Sequence, residues 1–178
     1  LLGFCLCAAT IVLLHTSFPG YLTQQASIAV LGVDDLLIRS LLDKNQFYDP
    51  LDEALNLGIS SATWPLFGLL WPSGQRMAER MALRPVTGER ILEIGCGLGL
   101  PSLVAHRRGA NVTASDCHPL THAFLDENTR LNGLPPMAYC HGLWGTAALR
   151  EDGLPVLTSA QDAGVSGLFD LIVGSEIG

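Results

Sequence analysis

Residues 93–99, Glu93-Ile94-Gly95-Cys96-Gly97-Leu98-Gly99, constrain this chain more than any other stretch. An apolar strand pattern, Arg90–Ile94, runs into glycines. A helical pattern over 101–108 follows, with Pro101 near its first turn and Gly109 at its end. Glycines at alternate positions permit a tight turn and remove the Cβ atoms that would hold a ligand off the backbone. The following helix start offers free N–H groups and a positive dipole end. A strand, glycine loop and helix in this order place the loop at the carboxyl edge of a sheet, where open α/β folds bind ligands.

The chain downstream keeps alternating. Asn111–Asp116 reads as a second strand and 119–131 as a helix, with Leu120, Ala123, Phe124 and Leu131 on one face and Asn132-Gly133 as its stop. A third strand is expected over 137–143, a Gly- and Ala-rich linker over 145–167, and a fourth strand over 169–175. The fourth is apolar throughout and is expected to be buried on both faces. Strands alternating with helices of this size imply an α/β fold with a doubly wound parallel sheet.

Upstream, Ser73 can start a helix reaching Leu83 and stopped before Pro85. Met77, Ala78, Met81 and Ala82 form its apolar face, and Arg76, Arg80 and Arg84 form a solvated stripe. Residues 64–72 hold two tryptophans and two prolines and read as irregular and half-buried. Residues 49–63 read as a loop with a short helix. Asp34 and Asp35 are expected to open another short helix, with Leu37, Ile38 and Leu41 on one face. The organisation expected is an uncharged apolar leader over 1–33, a helical or irregular segment over 34–72, and a ligand-binding domain over 73–178. The chain starts with Leu1 and stops just after an apolar run, so it reads as a fragment truncated after its fourth strand.

Composition removes several classes of function. A net charge of −7 and a single lysine, Lys44, argue against a nucleic-acid footprint. Residues 1–14 are nearly all apolar but too short for a span of roughly 20 residues, so no firm membrane association is expected. Five cysteines without paired spacing are no disulfide framework, which favours a reducing, cytoplasmic setting. Cys117, His118, His122, Cys140 and His141 show neither C-x-x-C nor H-E-x-x-H spacing, so no metal site is expected.

Asp116 ends the second strand, 17 residues after Gly99. A carboxylate there can accept hydrogen bonds from both hydroxyls of a ribose, so the loop and Asp116 form a nucleoside-binding pair. Dinucleotide sites use G-x-G-x-x-G. Here the glycines fall at 95, 97 and 99, and Glu93 stands just before them. An acid in that position repels a pyrophosphate and suits a cationic ligand.

The pattern Glu93-x-Gly95-x-Gly97-x-Gly99 resembles the first motif of the class I S-adenosylmethionine-dependent methyltransferases. Trp71-Pro72-Ser73-Gly74, Asn128, Asn132-Gly133-Leu134, Trp144 and Phe169-Asp170-Leu171-Ile172-Val173-Gly174-Ser175 are similar to the lysine methyltransferase-like subgroup, methyltransferase family 16. The resemblance covers roughly 64–176. It implies a Rossmann-like sheet of the class I methyltransferase type, with S-adenosyl-L-methionine as cofactor. It also implies roles for individual residues. Gly95, Gly97 and Gly99 would pass the methionine part, Glu93 would orient its amino group and Asp116 would hold the ribose. Cys117 and His118 would flank the adenine, with Trp144 near it and Trp71 over the pocket. Glu176 would sit at the acceptor side and help take the proton of a nitrogen nucleophile. The subgroup has Asp where Leu143 stands here, and an acceptor-side Tyr that this chain lacks.

The function implied is methyl transfer to a nitrogen nucleophile, a protein side chain or otherwise a small molecule. Two alternatives remain at this point. One is a non-catalytic S-adenosyl ligand-binding domain or inactive fragment. The other is a nicotinamide-dependent oxidoreductase, which Asp116 supports and the glycine spacing opposes.

Overall fold

A computed structural model describes residues 17–18, 20–142, 165 and 167–175. Trp144 and Glu176 lie outside the described residues, as does the apolar run 1–14.

The described residues begin with an antiparallel meander of β1 (Ser17–Phe18), β2 (Tyr21–Ile28) and β3 (Leu36–Leu41). The register pairs Thr23 with Leu41 and Ile28 with Leu36. The short helix expected after Asp34 is therefore a strand. Leu36 and Ile38 are buried while Leu37 between them is exposed, a period of two rather than the helical face that joins Leu37 to Ile38 and Leu41. The partner supplies the reason. Tyr21 and Thr23 are 1 % exposed and Leu22 is 51 % exposed, the same alternation on β2. The hairpin also runs across the expected division at 33/34.

A second sheet holds β4 (Arg90–Ile94), β5 (Asn111–Asp116), β6 (Ala138–His141) and β7 (Leu171–Gly174), all parallel, in the order β6-β5-β4-β7. The helices among the described residues are α1 (Glu53–Asn56), α2 (Pro72–Leu83), α3 (Leu100–Arg107) and α4 (Thr121–Leu131). A 3-10 segment, Ser61–Gly68, precedes α2. The parallel strands and the three longer helices match the sequence expectation to within a few residues at each end. Ile91, Leu103, Val104, Ala114, Phe124 and Leu125 fill the core between sheet and helices. β7 departs from expectation: Ile172 is 58 % exposed. Among the described residues β7 pairs with β4 alone and nothing covers that side of Ile172.

Two asparagines fasten the hairpin to α4. Asn128 Oδ1 accepts the Arg39 N–H at 2.8 Å and its Nδ2 donates to the Arg39 carbonyl at 3.2 Å. One turn on, Asn132 repeats this on Leu37, at 3.0 and 2.8 Å. The spacing is commensurate: four helical residues rise about 6.0 Å and two strand residues about 6.7 Å. Arg107 joins the cluster, donating to Asn132 Oδ1 and to the Asp34 carbonyl. Asn128 is fully buried, so Asn128→Ala removes both bonds to β3 at a desolvated site. A loss of about 1–3 kcal/mol is expected in urea unfolding; an unchanged midpoint would show that the bonds contribute nothing net.

Candidate functional site

The loop between β4 and α3 is the centre of the site. Gly95, Gly97 and Gly99 have φ of 62°, 50° and 72°, the left-handed region that favours glycine. Gly97 is further constrained by close approach: a Cβ there would lie 2.9 Å from the Phe67 carbonyl oxygen of the 3-10 segment. The loop is tied to β5 at two points. Cys96 N–H donates to the Ser115 carbonyl at 3.0 Å, and Gly97 N–H donates to Asp116 Oδ2 at 2.9 Å.

Asp116, at the end of β5, uses its other oxygen to accept the His118 N–H at 2.9 Å. Each carboxylate oxygen thus holds one backbone donor and keeps acceptor capacity for a ligand hydroxyl.

Glu93 is 2 % exposed. Its Oε2 accepts from Ser102 N–H at 3.0 Å and from Ser102 Oγ–H at 2.5 Å, on the first turn of α3. Burial pushes its carboxyl up to about 8, against the lowering effect of the two Ser102 bonds and with a further push from Asp116. Ser102 is therefore the partner that orients Glu93, and nothing in the sequence marked it.

His118 is also buried, and its ring stacks on Phe67 with centroids 3.9 Å apart and planes 12° apart. Its Nδ1 accepts the Leu120 N–H at 3.2 Å, which leaves the ring proton on Nε2. Burial lowers its pKa to about 4, so the ring is neutral.

These groups border one cavity of about 490 Å³ at the carboxyl ends of β4 and β5, within the range of small-molecule sites. Trp71, Glu93, Gly95, Gly97, Gly99, Asp116, Cys117 and His118 all line it. The structure brings together every expected cofactor residue among those described. Trp71 stands at the mouth, 38 % exposed, with its indole N–H donating to the Leu66 carbonyl at 3.0 Å. The remaining wall was not foreseen. Leu66, Phe67, Leu69 and Leu70 come from the 3-10 segment and its exit, and Gly142 and Ser175 come from the ends of β6 and β7. The apolar run around Phe67 was the available signal, but nothing in it distinguishes a cavity wall from ordinary core. Among the described residues no group of His, Cys, Asp and Glu is placed to hold a metal ion. Among them, too, no helix is long and apolar enough to cross a membrane.

A glycine loop between parallel strand and helix, with one acid before it and another at the end of the next strand, defines an α/β domain of the Rossmann-like kind with a cavity at its strand ends. Comparison with known proteins gives a narrower likeness: the chain is similar in sequence to protein lysine and arginine methyltransferases. It is 30 % identical over 112 residues to the rat electron transfer flavoprotein beta subunit lysine methyltransferase, covering 61 % of this chain and 37 % of that protein. It is 30 % identical over 113 residues to the rat histone-arginine methyltransferase METTL23, covering 61 % and 44 %. The chain thus spans less than half the length of these curated relatives. No family model matches it. Among solved structures it is similar to the Thermus thermophilus 16S rRNA N2 G1207 methyltransferase, with a TM-score of 0.49, 19 % identity, and coverage of 85 % of this chain and 32 % of that one.

Proposed function

We propose that this chain carries the cofactor half of an S-adenosylmethionine-dependent methyltransferase that acts on a nitrogen nucleophile, with a protein side chain as acceptor. The observation that carries the reading is the placement of Glu93 and Asp116 on either side of the 95–99 loop in one cavity. The residues fit the group. Asp116 has acceptor capacity for two ribose hydroxyls, Glu93 is a buried acid that can pair with an ammonium, and left-handed glycines leave the backbone open to a ligand. A pyrophosphate finds an acid where it needs donors, which disfavours the nicotinamide alternative. When bound, S-adenosylmethionine would supply a sulfonium methyl open to in-line attack by a nucleophile, with the thioether S-adenosylhomocysteine as the leaving group.

The chain's own residues bind and orient. Asp116 fixes the ribose, Glu93 the ammonium, Trp71 and the 3-10 segment cover the mouth and exclude water, and Cys117 and His118 border the adenine side. Positioning of this kind can supply much of the rate enhancement. Trp144, as an adenine neighbour, and Glu176, as acceptor of the nucleophile's proton, rest on the sequence resemblance alone. A protein acceptor is supported by the relatives, which are named for lysine and arginine methylation of proteins. A cytoplasmic location is proposed from cysteine usage.

The test is calorimetric titration with S-adenosylhomocysteine, with NAD in parallel. S-adenosylhomocysteine alone is expected to bind. Asp116→Ala should weaken it by about 1.5–3 kcal/mol, roughly ten- to 150-fold, as expected for hydrogen bonds to a charged group. A cooperatively folded chain that binds NAD, or neither ligand, would overturn the reading.

A further inference from the structure

Glu93 has a buried position with an unusual set of neighbours. Among the described residues the ionisable groups that face it are Asp116 at the end of β5 and Cys96 in the glycine loop, and neither offers a positive charge. Its hydrogen-bond partner on α3, Ser102, is neutral. A carboxylate taken out of water without a countercharge is strongly disfavoured, and such a group takes up a proton instead. Glu93 nevertheless borders an open cavity, so a ligand that enters can bring the missing charge.

We infer that the site is proton-coupled: Glu93 is a neutral acid in the ligand-free chain, and a ligand bearing an ammonium converts it to a carboxylate, expelling one proton to solvent as it binds. The inference rests on the S-adenosyl reading of the cavity. The balance is simple: the O–H bond of the Glu93 carboxyl breaks, the proton passes to buffer, and the ligand's N–H donates to the oxygen left behind. Linkage sets the consequence. With Glu93 near 8 in the empty site, affinity for a ligand whose ammonium meets Glu93 rises with pH by up to tenfold per unit through the neutral range. His118, held near 4, stays neutral there and does not mask the effect.

Calorimetry of the full chain with S-adenosylhomocysteine at pH 6.0, 6.5, 7.0 and 7.5, in buffers of different ionisation enthalpy, counts the protons released. Release of most of a proton at pH 7 and affinity that rises severalfold from pH 6 to 7 are expected. Adenosine lacks the ammonium and should bind, where it binds, without release. In the infrared difference spectrum, the carboxylic-acid carbonyl band of the empty chain should vanish on S-adenosylhomocysteine addition. Glu93→Gln should bind S-adenosylhomocysteine more weakly, with no release and no such band. Tight binding with no proton release, equal release with adenosine, or undiminished release in Glu93→Gln would each overturn the coupling and leave the site assignment standing. Failure to bind S-adenosylhomocysteine at any pH would overturn the site assignment itself. The infrared band needs no binding by the variant, so a variant that does not bind still leaves the wild-type spectrum to decide.

Discussion

Gly97→Ala should lose S-adenosylhomocysteine binding by well over tenfold while the sheet remains folded. Two costs meet at this residue. Its φ of 50° lies in the region that an L side chain occupies at roughly 1–2 kcal/mol. The new Cβ would also stand 2.9 Å from the Phe67 carbonyl oxygen, a backbone atom that cannot swing aside. Either the loop or the 3-10 segment must move. Movement of the loop breaks the bond from Gly97 N–H to Asp116 Oδ2, and movement of the segment shifts the Phe67 wall of the cavity. Gly88→Ala is the control: φ is 78° but nothing lies within 4 Å of its Cβ, so it carries the backbone cost alone. Titration calorimetry with parallel melts of both variants separates the effects. Equal affinities in the two variants would show that the close approach to Phe67 has no bearing on the ligand.

Glu93→Gln should make the ligand-free chain more stable above neutral pH while weakening the ligand, so one side chain trades fold stability for binding. The sign follows from the two states. Glu93 titrates near 8 when folded and near 4.5 when unfolded. Between those values the folded chain holds a proton that the unfolded chain has released, so its contribution is complete below 4.5 and is lost as pH rises through 8. The slope is at most about 1.4 kcal/mol per pH unit. His118 acts the opposite way, because its value near 4 when folded lies below its ordinary 6.5. Its contribution is complete above 6.5 and is lost as pH falls through 4. The two oppose each other between 4.5 and 6.5, and Glu93 acts without that opposition from 6.5 to 8. Urea unfolding of the wild-type chain should show falling stability over that upper window, and Glu93→Gln should abolish the fall. A variant with the wild-type slope would place the responsible group elsewhere.

The parallel half of the fold was legible because each element there carries its own punctuation. Gly99, Pro101, Gly109 and Asn132-Gly133 mark helix ends, and Asp116 marks the end of a strand. The loop and acids that border the cavity were legible for a related reason: the glycines are needed there by backbone conformation, and the acids fall just before the loop and at the end of the next strand. The hairpin was not legible. Its β2 half is YLTQQASI, with polar residues at both inward and outward positions, so the alternation becomes evident only when burial is known. Its β3 half, LLIRSL, has apolar residues at spacings that fit a helix as well as a strand, and pairing with β2 decided the outcome. The cavity wall contributed by Phe67 and the Ser102 bonds to Glu93 depend on tertiary approach, which no local pattern encodes. The exposed Ile172 face of β7 has the same origin, since an apolar run cannot say which neighbours cover it.

The asparagine contacts on β3 bear on how this chain behaves in a crowded solution. A strand with an open flank presents unpaired N–H and C=O groups that can template another chain. On β3 that flank is the one carrying Leu37 and Arg39, and the carboxamides of Asn128 and Asn132 occupy it, offering acceptor and donor as a neighbouring strand would. A helix thereby closes a sheet margin by side-chain mimicry of a β ladder. The hairpin is finished at that margin, and further growth of its sheet there would first have to dislodge α4.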